Sequence, residues 1–184
     1  MIEPLVYYFN NLKKIYKKRP NTILLNACIS FCESLRDFYY IDPAIAFEMN
    51  GNGPENNWAH GQGSFYKESI EYWIDQNAFR GNIYIENIPK YKMSILNTIV
   101  NCIPLKNIHV SNNSVNLLVI DVQGAELEIF MGIDWFTPPD FIYYEQDIKR
   151  NKLIDELLLH MGFEYLCGES NIVMYNKKTI YLID

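Results

Sequence analysis

The sequence predicts an α/β fold built on a largely parallel sheet, and three observations carry that prediction. From residue 115 onward, strand and helix patterns alternate in the order strand, helix, strand, helix, strand, strand. Within that run, LLVIDVQGAELEIFMG takes an apolar strand into an aspartate, a Gln-Gly turn and a short acidic amphipathic segment. The chain then closes with two β-prone runs, 163–167 and 172–175, across Gly168-Glu169-Ser170-Asn171, the pattern of an antiparallel hairpin.

Each element has its own signal. Residues 4–18 place Leu5, Tyr8, Phe9, Leu12, Ile15 and Tyr16 at helical spacing, with Pro4 in the favoured first turn. Arg19-Pro20-Asn21 ends that helix. Residues 22–29 form an apolar β-rich run, read as a buried strand, and 35–41 an aromatic one, read as a second. The stretch 50–63, NGNGPENNWAHGQG, is a loop with four glycines and a proline. Residues 64–76 and 92–100 fit a short helix or a strand equally. Strands follow at 115–121 and 141–145, the latter bounded by Pro138-Pro139, with a short helix at 125–131 between them. Residues 148–161 carry Leu153, Ile154, Leu157, Leu158 and Met161 on one helical face, and Gly162 stops them.

At 184 residues the chain is sized for one domain with a real core. Hydrophobic residues make up 49% and charged residues 21%, an ordinary globular balance. A net charge of −6 argues against a nucleic-acid-coating surface. The basic cluster Lys13, Lys14, Lys17, Lys18 and Arg19 falls late in the first helix, where it complements the dipole. No apolar run reaches the roughly 20 residues of a membrane span, and Glu3-Pro4 interrupts the place of a secretory signal, so a cytoplasmic location is expected. Cys28, Cys32, Cys102 and Cys167 form no CxxC pair or zinc pattern, and buried thiols are the expectation.

Asp121 follows four apolar residues, and a carboxylate there needs a partner. Two readings stay open: a ligand for a cationic or hydroxyl-bearing group in a crevice, or a helix cap in which Asp121 or Gln123 satisfies the first amides near Ala125. Gly124 permits a close backbone approach or a positive φ. Glu128 fits the helix dipole. Glu145, ending FIYYE, stands in the same relation to its strand as Asp121, either as a second polar group or as a solvated strand end. In α/β sheets ligands sit at the carboxyl ends of strands, which is where Asp121 and Glu145 fall. AIAFEMNGNG imitates a strand entering a phosphate loop but lacks the following helix, so it is rejected as a nucleotide fingerprint. Trp58, His60, Gln62, Ser64 and Tyr66 read as a lid or substrate-contacting segment, or as a disordered surface loop. His60, His109 and His160 form no catalytic pattern.

Residues 118–132 resemble the "iDvqGaElevlkG" signature of FkbM-type methyltransferases. Downstream, FIYYE and the helix ending HMGFEY resemble the family's next strand-helix-strand; upstream, IEP with its helix, LNACI and FYY resemble its "EP…L…n.Ais….fy" stretch. The resemblance implies an S-adenosylmethionine-dependent enzyme of the Rossmann-like class I fold that O-methylates a hydroxyl of a sugar or small molecule. It implies that Glu3 binds the ribose hydroxyls of the cofactor and that Asn26 and Ala27 lie beside the adenine. Asp121 and Gln123 would adjoin the cofactor, with Asp121 facing its methionine moiety or the acceptor hydroxyl. Glu126 and Glu145 would line the acceptor pocket, with Asp121, Glu126 and Glu145 as the catalytic set and no metal. The family's opening strand, glycine-rich turn and first helix have no counterpart before Ile2-Glu3-Pro4. The expectation is therefore one domain over residues 1–184 that lacks the N-terminal β-α unit, an incomplete sheet, and a homodimer or partner chain completing it. The alternative is a degenerate, non-catalytic methyltransferase-fold protein acting as a structural or interaction module.

Overall fold

A computed structural model of the protein describes residues 1–49, 57–108, 115–122, 124–145, 151–168 and 171–177. In chain order the elements are α1 (Val6–Tyr16), β1 (Cys28–Ile29), β2 (Ser34–Ile41), α2 (Pro43–Met49), β3 (Gly63–Ser64), α3 (Lys67–Phe79), α4 (Ile88–Met93), β4 (Ile95–Ile103), β5 (Leu117–Ile120), α5 (Glu126–Met131), β6 (Phe141–Glu145), α6 (Asn151–His160), β7 (Phe163–Gly168) and β8 (Asn171–Asn176). Two compact units form, one from Met1–Ser34 with Asn101–Asp184, the other from Leu35–Val100.

In the first unit the alternation from residue 115 onward is present as expected. β5 and β6 pair in parallel, from Leu117↔Phe141 to Ile120↔Tyr144. The closing hairpin is antiparallel, and its second strand enters between the first and β6, giving the order β5-β6-β8-β7. Phe130, Ile142, Leu158 and Phe163 are fully buried in the core these elements share, with Ile120, Ile154 and Met174 beside them. Ile154 and Leu158 lie four apart on α6, so one helical face meets the sheet. Tyr144 is fully buried too, and its hydroxyl donates to Asp155 on that helix. Burial, then the hydrogen bond to Asp155 and the charge of its carboxylate, push the phenol far above its ordinary pKa and keep it protonated.

Toward the chain's start, Ile2 and Leu25 form a parallel bridge. β1 pairs in parallel with the last residues of β4, Cys28 with Cys102 and Ile29 with Ile103. The strand expected over 22–29 is thus only partly regular. Its bonds pass from Ile2 at Leu25 to β4 at Cys28, with Asn26 and Ala27 between.

The second unit buries Ile70, Ile74 and Ala78, spaced by four along α3, together with Ile41, Ala46 and Tyr91. β2 and β3 pair antiparallel, Tyr39 with Ser64. The ambiguity over 64–76 and 92–100 resolves into helix α3 and strand β4. The AIAFEM stretch, read as strand-like, is instead helix α2. Asp42 begins it, its Oδ1 accepting the Ala44 N–H at 2.9 Å, with Pro43 in the first turn.

Two expectations need correction. A mostly parallel sheet with a C-terminal antiparallel hairpin was predicted; the β7–β8 hairpin is antiparallel as expected and β1–β4 and β5–β6 are parallel, but β2–β3 and β6–β8 are antiparallel too, so the sheets are mixed. The residues 34–64 supply an antiparallel pair that the alternation rule does not foresee. The thiols also divide: Cys28 and Cys102 are buried, but Cys32 and Cys167 are exposed. Among the described residues no helix is long and apolar enough to cross a membrane.

Candidate functional site at the carboxyl ends of the strands

Glu3 sits where the chain leaves its bridge with Leu25. Its N–H donates to the Leu25 carbonyl, and the Leu25 N–H to the Met1 carbonyl, both at 3.0 Å. Pro4 then turns the chain into α1. The Glu3 side chain folds over that turn, its Oε1 accepting the Leu5 N–H at 2.8 Å. Partial burial raises the Glu3 carboxyl above the ordinary glutamate range, and the Leu5 amide offsets this in part.

Asn26 follows Leu25 on the neighbouring segment. Its Nδ2 donates to the Glu3 carbonyl at 2.8 Å and to the Pro4 carbonyl at 2.9 Å. Ala27, next in line, is buried. Three of the residues expected at the cofactor, Glu3, Asn26 and Ala27, therefore lie at adjacent strand ends, and two are joined directly.

A second group gathers around the motif. Asp121 is exposed one step past the Ile120↔Tyr144 pair, and Glu145 occupies the matching step on β6, where it pairs with Asn171 of β8. The parallel register thus places two carboxylate-bearing residues at one level on neighbouring strands. Gln123 lies outside the described residues. Gly124 has a φ of 103°, the left-handed conformation that its missing Cβ permits. Its N–H donates to Oε1 of Glu126 at 3.0 Å, and Glu126 is 6% exposed. Glu126 therefore reaches back to close the turn ahead of α5, a helix whose N-cap, Ala125, has no side-chain cap.

Three further residues hold α5 against the end of β1, and of these Ser30 had no signal in the sequence. Ser30, fully buried just past β1, donates from Oγ to Oε2 of Glu128 at 3.0 Å. Glu128 thus does more than complement the helix dipole: it ties α5 to the end of β1. Gly132, at the C-terminal end of α5, packs so closely on that segment that a Cβ would stand 2.6 Å from the Ser30 carbonyl oxygen. Its own carbonyl accepts the Lys106 N–H at 3.1 Å. Only the glycine closing the motif hinted at such packing. Among the described residues no group of three or more His, Cys, Asp or Glu side chains is arranged to hold a metal.

No curated protein and no solved structure matches the chain. The family model described as the methyltransferase FkbM domain matches residues 1–165. That span takes in the Glu3–Asn26 strand ends, the whole second unit, the Asp121 motif, β6 and α6. The chain belongs to the FkbM methyltransferase domain family.

Proposed function

We propose that this chain is an S-adenosylmethionine-dependent O-methyltransferase of the class I, Rossmann-like kind, acting on a hydroxyl of a sugar or small molecule. The observation that carries the reading is Glu3 at the end of a parallel strand bridge, its half-buried carboxylate held by the Leu5 N–H and its main-chain carbonyl by Asn26. A carboxylate accepts several hydrogen bonds, which suits two adjacent ribose hydroxyls. Ala27, small and buried next to Asn26, would leave room for an adenine ring against the strand end. The residues present fit the cofactor's ribose and base. When bound, the cofactor supplies an electrophilic methyl group on a sulfonium.

The chain's own residues would do the rest. Asp121, exposed at the mouth of β5, would accept the hydrogen bond of an acceptor hydroxyl and take its proton at a carboxylate oxygen. Glu145, level with it, would orient the acceptor. Glu126 would shape the pocket wall by fixing the Gly124 turn.

Calorimetric titration with S-adenosylhomocysteine tests this. Saturable binding is expected, with Glu3→Ala weakening it about 10- to 100-fold, the loss of one or two hydrogen bonds to a charged group. Asp121→Ala should weaken it less and abolish methyl transfer. A folded chain that ignores millimolar ligand would overturn the reading in favour of a non-catalytic module.

The sheet edge bears on partners. Among the described residues β5 pairs with β6 alone, and Leu117 and Val119 are 55% and 58% exposed. An edge strand presents its free row of backbone N–H and C=O groups to another strand. We propose that a further strand, from a second copy or another polypeptide, lies against β5. Light scattering on the purified chain should then give a dimer that Val119→Lys dissociates. A monomer insensitive to that change excludes the second copy, and protected β5 amides in the same monomer would exclude a separate polypeptide.

A further inference from the structure

Asn26 stands exposed beside a turn, where an asparagine needs no special explanation, yet its side chain is committed. Nδ2 bears two hydrogens, and both are directed at successive main-chain carbonyls, Glu3 at 2.8 Å and Pro4 at 2.9 Å. Carbonyl oxygens only accept, so the amide must present its nitrogen to them. Only Oδ1 is then left to face anything else.

The place of these bonds gives them meaning. The ladder between Ile2 and Leu25 ends with the Glu3 N–H on the Leu25 carbonyl. Pro4 has no amide hydrogen with which to continue it. The Asn26 side chain takes over there, on the two carbonyls where the chain turns into α1. Glu3 is thereby fixed three ways: its N–H by Leu25, its carbonyl by Asn26, and its Oε1 by Leu5. A carboxylate mounted on so restrained a backbone meets a diol with little freedom left to lose, and preorganisation of this kind raises affinity without a new contact.

We infer that Asn26 is a positioning residue that works through Glu3: it locks the strand end so that the Glu3 carboxylate is set for a vicinal diol such as a ribose. This rests on the reading of Glu3 as the cofactor's ribose ligand. It gives Asn26 a part different from direct contact with the adenine.

A double-mutant cycle separates the two parts. S-adenosylhomocysteine is titrated into the wild-type chain, Asn26→Ala, Glu3→Gln and the double variant, each checked for folding by circular dichroism and thermal unfolding. Asn26→Ala should weaken binding about tenfold in the wild-type background, and less than about twofold once Glu3 is Gln, because coupled residues are not additive. Asn26→Leu keeps the approximate volume and removes both donors without adding a charge, so it should match Asn26→Ala and serves where the alanine variant is poorly folded. An equal loss in both backgrounds would overturn the inference and place Asn26 on the ligand directly. An unchanged affinity for both Asn26 variants would overturn it outright. A wild-type chain that binds nothing would instead remove the reading of Glu3 itself, and the inference with it.

Discussion

Phe130→Ala is expected to be among the most damaging single truncations in the first unit, costing about 3–5 kcal/mol and lowering the melting temperature by roughly 6–20 °C. The ring is fully buried on the inner face of α5, in edge contact with Tyr144, centroids 5.7 Å apart and planes at 85°. Around it lie side chains from β5, β6, α6 and β7: Ile120, Ile142, Leu158 and Phe163. Tyr144, the ring in edge contact, is anchored through its hydroxyl to Asp155 and is not free to swing into the cavity. The neighbouring residue supplies the control. Met131, next on the same helix, is 62% exposed, and Met131→Ala should stay within about 0.5 kcal/mol of wild type. Thermal and urea unfolding of the two variants would decide the matter. Equal, small losses would mean that α5 is not seated on the sheet as described.

The contrast between Phe130 and Met131 was half visible in the sequence. ELEIFM has a helical apolar stripe, and the strand before it ends on a carboxylate, so the element types and their order could be read from periodicity alone. The same holds for FIYYE, for the helix closed by Gly162 and for the hairpin. AIAFEM imitates a strand, and its rejection as a phosphate loop left the element itself unassigned, although the Asp-Pro pair in front of it is an ordinary helix start. The register that levels Asp121 with Glu145 depends on strand pairing, which a local pattern does not contain. Ser30 and Glu128 are 98 positions apart, and only the fold brings them together. Glu3 and Asn26 were legible as members of a family pattern, but not as partners. Their bond pairs a side chain with main-chain carbonyls, a link that residue types alone do not encode.

Gly132→Ala is the second change expected to have a large effect, and the reason is space and not backbone conformation. Its φ is −94°, within reach of any residue, so backbone conformation does not demand a glycine. Space does. A Cβ would lie 2.6 Å from the Ser30 carbonyl oxygen and 3.4 Å from both the Ile129 carbonyl oxygen and the Phe31 Cα. All three are main-chain atoms, so no side chain can swing away, and one backbone segment must move relative to the other. That movement would strain the Lys106–Gly132 bond and the Ser30–Glu128 bond, which clamp the same approach. Overpacking of this kind costs about 1–3 kcal/mol, and lost hydrogen bonds would add about 1 kcal/mol each. Gly162 offers the converse case: its φ of 90° requires a glycine, but open space surrounds its Cβ position. Gly162→Asn should therefore be tolerated better than Gly162→Ala, since asparagine visits the left-handed region more readily. At Gly132 asparagine should be worse than alanine, because the larger side chain meets the same backbone. Denaturant titration of the four variants reads out both orders. If alanine and asparagine rank alike at the two glycines, the close approach of Gly132 to Ser30 is not what holds α5 against the end of β1.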